Sequence, residues 1–63
     1  MEPHQERVLT EKKELDEKRE KLGVFLKGDH FRKLPPAERA RLEEQAIVMR
    51  RYSEILNERI GAF

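Results

Sequence analysis

Residues 27–36 read KGDHFRKLPP, and this stretch interrupts a sequence whose pattern is otherwise helical. Gly28 suits the position just beyond the end of a helix. The pair Pro35-Pro36 prevents a helix from continuing across it, because proline lacks the backbone N–H and its ring clashes with the preceding turn. The stretch therefore predicts two helices joined by a connector over 27–35.

The segment before the connector predicts a helix over about 3–26. Pro3 suits its first turn, where the missing N–H would have had no partner. Apolar residues recur every seven positions, at Val8, Leu15 and Leu22. The half-heptad positions between them hold Glu11 and Lys18, so this seam is expected to alternate apolar with charged layers.

The segment after the connector predicts a second helix over about 36–60, starting with Pro36 at its first position and Glu38 near the positive end of its dipole. Its apolar face is wide. The central stripe is Leu42, Ala46, Met49, Ser53, Leu56 and Ile60, and Val48, Tyr52 and Ile55 extend it on one side. Because one partner helix cannot cover such a face, we expect more than a hairpin to be buried.

The expected fold class is all-α: a single domain over 1–63, folded as an antiparallel two-helix hairpin that assembles into a homo-oligomeric helical bundle. The chain has 14 Lys and Arg, 13 Asp and Glu, and no Cys. A core this small supplies roughly 3–5 kcal/mol alone and usually needs a disulfide, a metal or a partner chain. Without Cys, and with only His4 and His30 as histidines, self-association is the remaining option, and a tetramer or another homo-oligomer is expected.

Several function classes are excluded by what the sequence lacks. There is no Cys nucleophile, Gly-rich phosphate loop or HExxH motif, so we expect neither an enzyme nor a cofactor or metal site. No apolar run approaches the roughly 20 residues that span a bilayer, so no membrane association is expected. A net charge of +1 argues against binding DNA or RNA polymers.

Candidate site residues come from the expected pairing of the two helices. Antiparallel packing about residue 31 places residues whose numbers add to about 63 opposite each other. Lys18 then lies beside Gln45, Glu11 lies beside Tyr52, and Arg7 approaches Arg59. The candidate ligand-binding residues are Arg7, Glu11, Gln45, Tyr52 and Arg59.

Two interpretations of these polar residues stay open. In the first, they form a structural network that fixes helix register and oligomer state. In the second, they line a pocket between subunits, where Tyr52 offers a stacking face and the arginines offer forked donors to phosphate. The smallest set of side chains that can bind a nucleotide is a tyrosine, which stacks on the base, and guanidinium groups, which bind the phosphate.

The residue string itself resembles a widespread family of short tailed-phage proteins that takes its label from a crAss-like phage reading frame. The likeness covers almost the whole chain. Its most specific parts are the opening Gln5-Glu6-Arg7-Val8 with Glu11-Lys12 and Glu14-Leu15, and the later series Gln45, Met49, Tyr52, Leu56, Arg59 and Ile60.

This resemblance implies a phage accessory protein in the cytoplasm of the infected bacterium. Small helical phage proteins of similar build act as sponges, sequestering cyclic nucleotide signals of antiphage systems such as CBASS and Thoeris. The expected function is therefore sequestration of such a signal in pockets between subunits. The alternative is a non-catalytic module that binds a host or phage protein through the apolar face of the second helix.

Overall fold

The computed structural model describes all 63 residues and is entirely helical. It contains α1 (Pro3–Leu26), α2 (Asp29–Arg32) and α3 (Pro36–Gly61), with no strand. The all-α class expected from the sequence is therefore confirmed. The short helix α2 lies inside the connector and was not expected.

Local hydrogen bonds explain where the helices begin and end. The backbone N–H of Glu2 donates to the side-chain oxygen of Gln5 at 3.0 Å, which satisfies a donor at the start of α1. At the other end, the N–H of Gly28 donates to the carbonyl of Phe25 at 3.0 Å. Gly28 has an extended backbone (φ −91°, ψ 170°) and precedes α2 directly, so it does not use the left-handed conformation common after helices.

The connector folds against the last turn of α1. The ring of Phe31 meets that of Phe25 edge to face, with centroids 6.3 Å apart and an interplanar angle of 78°. This is a favourable geometry for two aromatic rings. Phe31 and Leu34 are both half-buried. They close the end of the hairpin at which the chain reverses.

The two long helices pack along a thin apolar core in a molecule of 46 × 14 × 13 Å. The core consists of Val8, Leu15 and Leu56, with Met49 and Ile60 packed against it. Ser53 is the only other buried residue. All the α3 residues in this group belong to the stripe expected from the sequence.

One of the two expected polar layers of α1 is wrong in position. Lys18 is exposed, whereas Glu11, Lys12 and Arg19 are half-buried. On a helix, the residues three and four positions after an apolar residue lie near the same face, so a seven-residue repeat alone does not choose between them. In the structure the polar side chain lies at the fourth position after Val8, where Lys12 donates a hydrogen bond to Ser53 of α3.

The pairing of the helices also differs from expectation. Ser53 was expected opposite the layer of Val8 and Glu11, but it hydrogen-bonds to Lys12 and Asp16, which lie further along α1. The midpoints of these pairs lie after residue 32, in the segment between α2 and α3, so the chain reverses later than residue 31.

Candidate functional site

A polar cluster of Lys12, Asp16, Arg19 and Ser53 joins the two long helices beside the core. The Ser53 hydroxyl donates to Asp16 Oδ1 at 2.6 Å, and Lys12 Nζ donates to Ser53 Oγ at 3.1 Å. Lys12 Nζ also lies 2.7 Å from Asp16 Oδ2, and Arg19 Nη1 lies 2.9 Å from Asp16 Oδ1. Three donors from α1 and α3 therefore converge on one carboxylate.

The hydrogen bond from Lys12, with those from Ser53 and Arg19, lowers the pKa of Asp16 far below its ordinary value. Ser53 is 3% exposed, while the Asp16 side chain is 37% exposed. With two cations around one carboxylate, the cluster keeps a net charge of +1. Its geometry is that of a polar layer that fixes helix register.

On α1, Arg7 is exposed and Glu11 is half-buried. They border a shallow depression whose other lining residues are Pro3, Glu6, Thr10 and Glu14. Three carboxylates thus surround a single guanidinium. Within one chain, this depression is acidic and does not favour a phosphate.

Gln45, Tyr52 and Arg59 lie along one line of α3, because seven residues separate each from the next. All three are exposed, and Tyr52 is 40% exposed. The side-chain nitrogen of Gln45 lies 3.7 Å from Met49 Sδ. The hydroxyl of Tyr52 has no hydrogen-bond partner among the side chains.

The single chain does not connect these five residues to one another. No hydrogen bond or ion pair joins any two of them, and the contact expected between Glu11 and Tyr52 is absent from the hydrogen bonds. Arg7 and Arg59 form no ion pair, so all their N–H donors are available. Of the three surface depressions, only the one on α1 includes any of the five, namely Arg7 and Glu11.

A cleft between the long helices was not foreseen from the sequence. It has a volume of about 250 Å³ and is lined by Arg19, Leu22, Gly23, Ala46, Ile47 and Arg50. Of the three surface depressions, it alone takes residues from both α1 and α3; the third is lined by Glu17, Glu20, Lys21 and Val24. The one sequence signal was Gly23, an isolated glycine within a helical pattern.

A metal-binding cluster and a helix that could span a membrane are both absent from the structure. No group of three or more His, Asp or Glu side chains is placed to hold a metal ion. None of the helices combines the length and the apolar character that crossing a bilayer requires.

Fold and surface together define a small all-helical hairpin protein with an exposed tyrosine and arginines that form no ion pair. Residues 2–62 match the model of the Sequestin family, and the chain belongs to this family. The family name suggests that its members sequester a molecule, which indicates binding rather than catalysis. No curated protein and no solved structure matches the chain.

Proposed function

We propose that this protein sequesters a small nucleotide immune signal, of the cyclic nucleotide class, in pockets between the subunits of a homo-oligomer. As a phage accessory protein, it acts in the cytoplasm of the infected bacterium and blocks antiphage signalling by removing the signal. The name of the Sequestin family supports the sequestering part of this proposal.

The observation that carries the proposal is an exposed strip on α3, defined as Gln45, Val48, Tyr52, Ile55 and Arg59. The intervals between these residues alternate between three and four, which is the spacing of a coiled-coil seam. Val48 is 60% exposed, and Tyr52 and Ile55 are each 40% exposed. The strip is therefore a second seam, parallel to the buried one and without a partner in the single chain.

A second copy of the chain is the natural partner of the exposed strip. When two such strips pack antiparallel around Tyr52, Val48 of one copy meets Ile55 of the other, and Arg59 of one copy meets Gln45 of the other. The apolar middle is buried, and no like charges within the strip oppose each other. Both arginines lie at the ends of the interface, close to water.

In our proposal the ligand binds along the edge of this interface, between the central Tyr52 and the arginines at the ends. Tyr52 stacks on a base, while Arg7 and Arg59 hold phosphate oxygens and Gln45 reads a base edge or a ribose hydroxyl. Glu11 accepts a hydrogen bond from a ligand hydroxyl. No bond is made or broken, so removal of the signal is stoichiometric.

Charge favours a pocket shared between copies. Arg7 lies among three carboxylates in its own chain, whereas Arg59 has no ion pair. A phosphate group is held more firmly where several guanidinium groups converge on it. An assembly can add the arginines of a second copy to Arg7 and Arg59.

Calorimetry with a panel of cyclic nucleotides tests the proposal. Heat of binding is expected for the wild-type protein, and it should disappear in Tyr52→Ala and Arg59→Ala while light scattering still reports the oligomer. The matched control is Arg41→Ala, which removes an exposed arginine already paired with Glu38 at 2.8 Å. A panel that produces no heat with the wild-type protein would rule the proposal out.

A second candidate function has its own observation. Ile47 is also 60% exposed and lies outside the strip, so α3 presents apolar surface on two sides. This arrangement suits a module that binds a host or phage protein as a helix in a groove. In that case a specific protein is captured in a pull-down, and Ile47→Glu abolishes the capture.

A further inference from the structure

The cleft between α1 and α3 combines two features that phosphate-bearing ligands require. Arg19 reaches it from α1 and Arg50 reaches it from α3, while Leu22, Ala46 and Ile47 form its apolar side. No carboxylate lines it. A ring or sugar can therefore pack against apolar side chains while its phosphate lies between two guanidinium groups.

The local charge favours a dianion. Arg50 forms no ion pair. Arg19 pairs with Asp16 through one nitrogen at 2.9 Å, and Lys12 also pairs with that carboxylate. Asp16 thus shares its one negative charge between Arg19 and Lys12, and a guanidinium group has five N–H donors, so Arg19 keeps donors for a second acceptor.

Gly23 is an independent observation at the same place. A Cβ atom built on Gly23 meets nothing within 4 Å, so packing within the hairpin does not require glycine there. Glycine inside a helix is nevertheless unfavourable relative to alanine. The absent side chain leaves the cleft open, and its backbone can be approached closely by something outside the chain.

We infer that this cleft is a phosphate-binding site present in each single chain, which takes a small molecule carrying a diphosphate, such as a nucleoside diphosphate. The inference goes beyond the proposed function, because the cleft involves neither the exposed strip on α3 nor a second copy. The two arginines hold the diphosphate, and the apolar side with Gly23 receives the sugar or ring.

Titration of ¹⁵N-labelled protein, followed by amide chemical shifts, tests the site directly. The probes are ADP, inorganic pyrophosphate and adenosine. ADP and pyrophosphate are expected to shift the amides of Gly23, Ile47 and Arg50 saturably, with a dissociation constant on the order of 1 mM. Adenosine lacks the charge and is expected to leave them unchanged.

Three variants separate this site from others. Arg50→Gln is expected to weaken ADP binding by about tenfold or more, because it removes a guanidinium group that can donate two hydrogen bonds to a phosphate. Gly23→Leu fills the cleft with a side chain that suits a helix, and should abolish binding without unfolding the protein. Arg51→Gln is the matched control, since Arg51 is already paired with Glu54 and Glu58 outside the cleft.

The inference is overturned if neither ADP nor pyrophosphate shifts these amides, or if the shifts fall around Tyr52 and Arg59 instead. It is also overturned if Gly23→Leu changes the oligomer mass but leaves ADP binding intact, because the cleft would then be a contact between copies. Pyrophosphate binding in the cleft together with no uptake of cyclic nucleotides would support this inference and refute the proposed function.

Discussion

Asp16 is the residue on which the two long helices depend most for polar contacts. It accepts hydrogen bonds from Lys12 and Arg19 of its own helix and from Ser53 of α3, which is buried. Removing one member of such a cluster leaves the others without partners. The polar contacts between α1 and α3 at this point therefore depend on the ionisation of the Asp16 carboxyl group.

Acid is expected to destabilise the protein through Asp16. Its pKa in the folded state lies far below the ordinary value, so the stabilisation is fully present above about pH 4 and is lost as the pH falls toward the folded-state pKa. Asp16→Asn should lower the free energy of unfolding at pH 7 and flatten its fall between about pH 4 and pH 2. Urea unfolding followed by circular dichroism measures both effects.

The control for this prediction is Asp29→Asn. Asp29 also pairs with an arginine three residues away, but its side chain is 83% exposed. This variant should leave the stability at pH 7 nearly unchanged, because exposed ion pairs contribute little. Equal effects of the two substitutions would refute the role given to Asp16.

Replacing Gly23 is expected to stabilise the protein, whereas replacing Asp16 destabilises it. Gly23→Ala is expected to raise the free energy of unfolding by about 0.5–1 kcal/mol, because alanine is better in a helix and its Cβ meets no other atom within 4 Å. Thermal unfolding measures the change. A loss of stability would show that the position is more crowded than the structure indicates.

At the scale of helices, α3 was predicted well and α1 only in part. The stripe from Leu42 to Ile60 was correctly identified because its spacing alternates regularly between three and four residues. In α1 the seam has an apolar residue only at every seventh position, so the position of the polar layer depends on contacts with Ser53 that no pattern within α1 reveals. The helix α2 was missed because four residues are too few for a periodic signal.

The sequence predicts which residues of α3 lie along one line, but it does not predict the cleft between the two long helices. Gln45, Tyr52 and Arg59 share a line on α3 because of their seven-residue spacing, and that line follows from the sequence. The cleft could not be foreseen, since its lining depends on which residues of α1 lie opposite Ala46 and Ile47. Gly23, an isolated glycine in a helical pattern, predicts no more than a weakened helix at its position.

The polar cluster between α1 and α3 is expected to determine specificity rather than stability. Replacing Lys12 and Asp16 with Leu and Ser53 with Ala exchanges the cluster for apolar packing, which is often neutral or stabilising. We expect an equal or higher thermal midpoint together with a less uniform oligomer mass in light scattering. A single unchanged mass would show that the cluster does not specify the assembly.

The whole molecule is a narrow rod with very little core. Four of its 63 residues are buried, and the exposed strip on α3 remains open to water. A core of this size is marginal on its own. Association through the exposed strip would bury more apolar surface than the hairpin does alone, which links stability to protein concentration.

The thermal midpoint is therefore expected to rise with protein concentration, as it does for any assembly that forms only from folded chains. Val48→Glu should remove this dependence and lower the mass in solution, because it places a charge in the exposed strip. The control is Val24→Glu on α1, another exposed valine, which lies outside the strip. Equal effects of the two substitutions would argue against the strip as the interface.

Native mass spectrometry of the protein mixed with a micromolar panel of cyclic nucleotides tests the central claim most directly. The account predicts that one nucleotide adds its mass to the oligomer, and that neither Val48→Glu nor Tyr52→Ala retains it. The claim is contradicted if no nucleotide is retained, or if monomeric Val48→Glu protein retains it as well as the wild-type oligomer does.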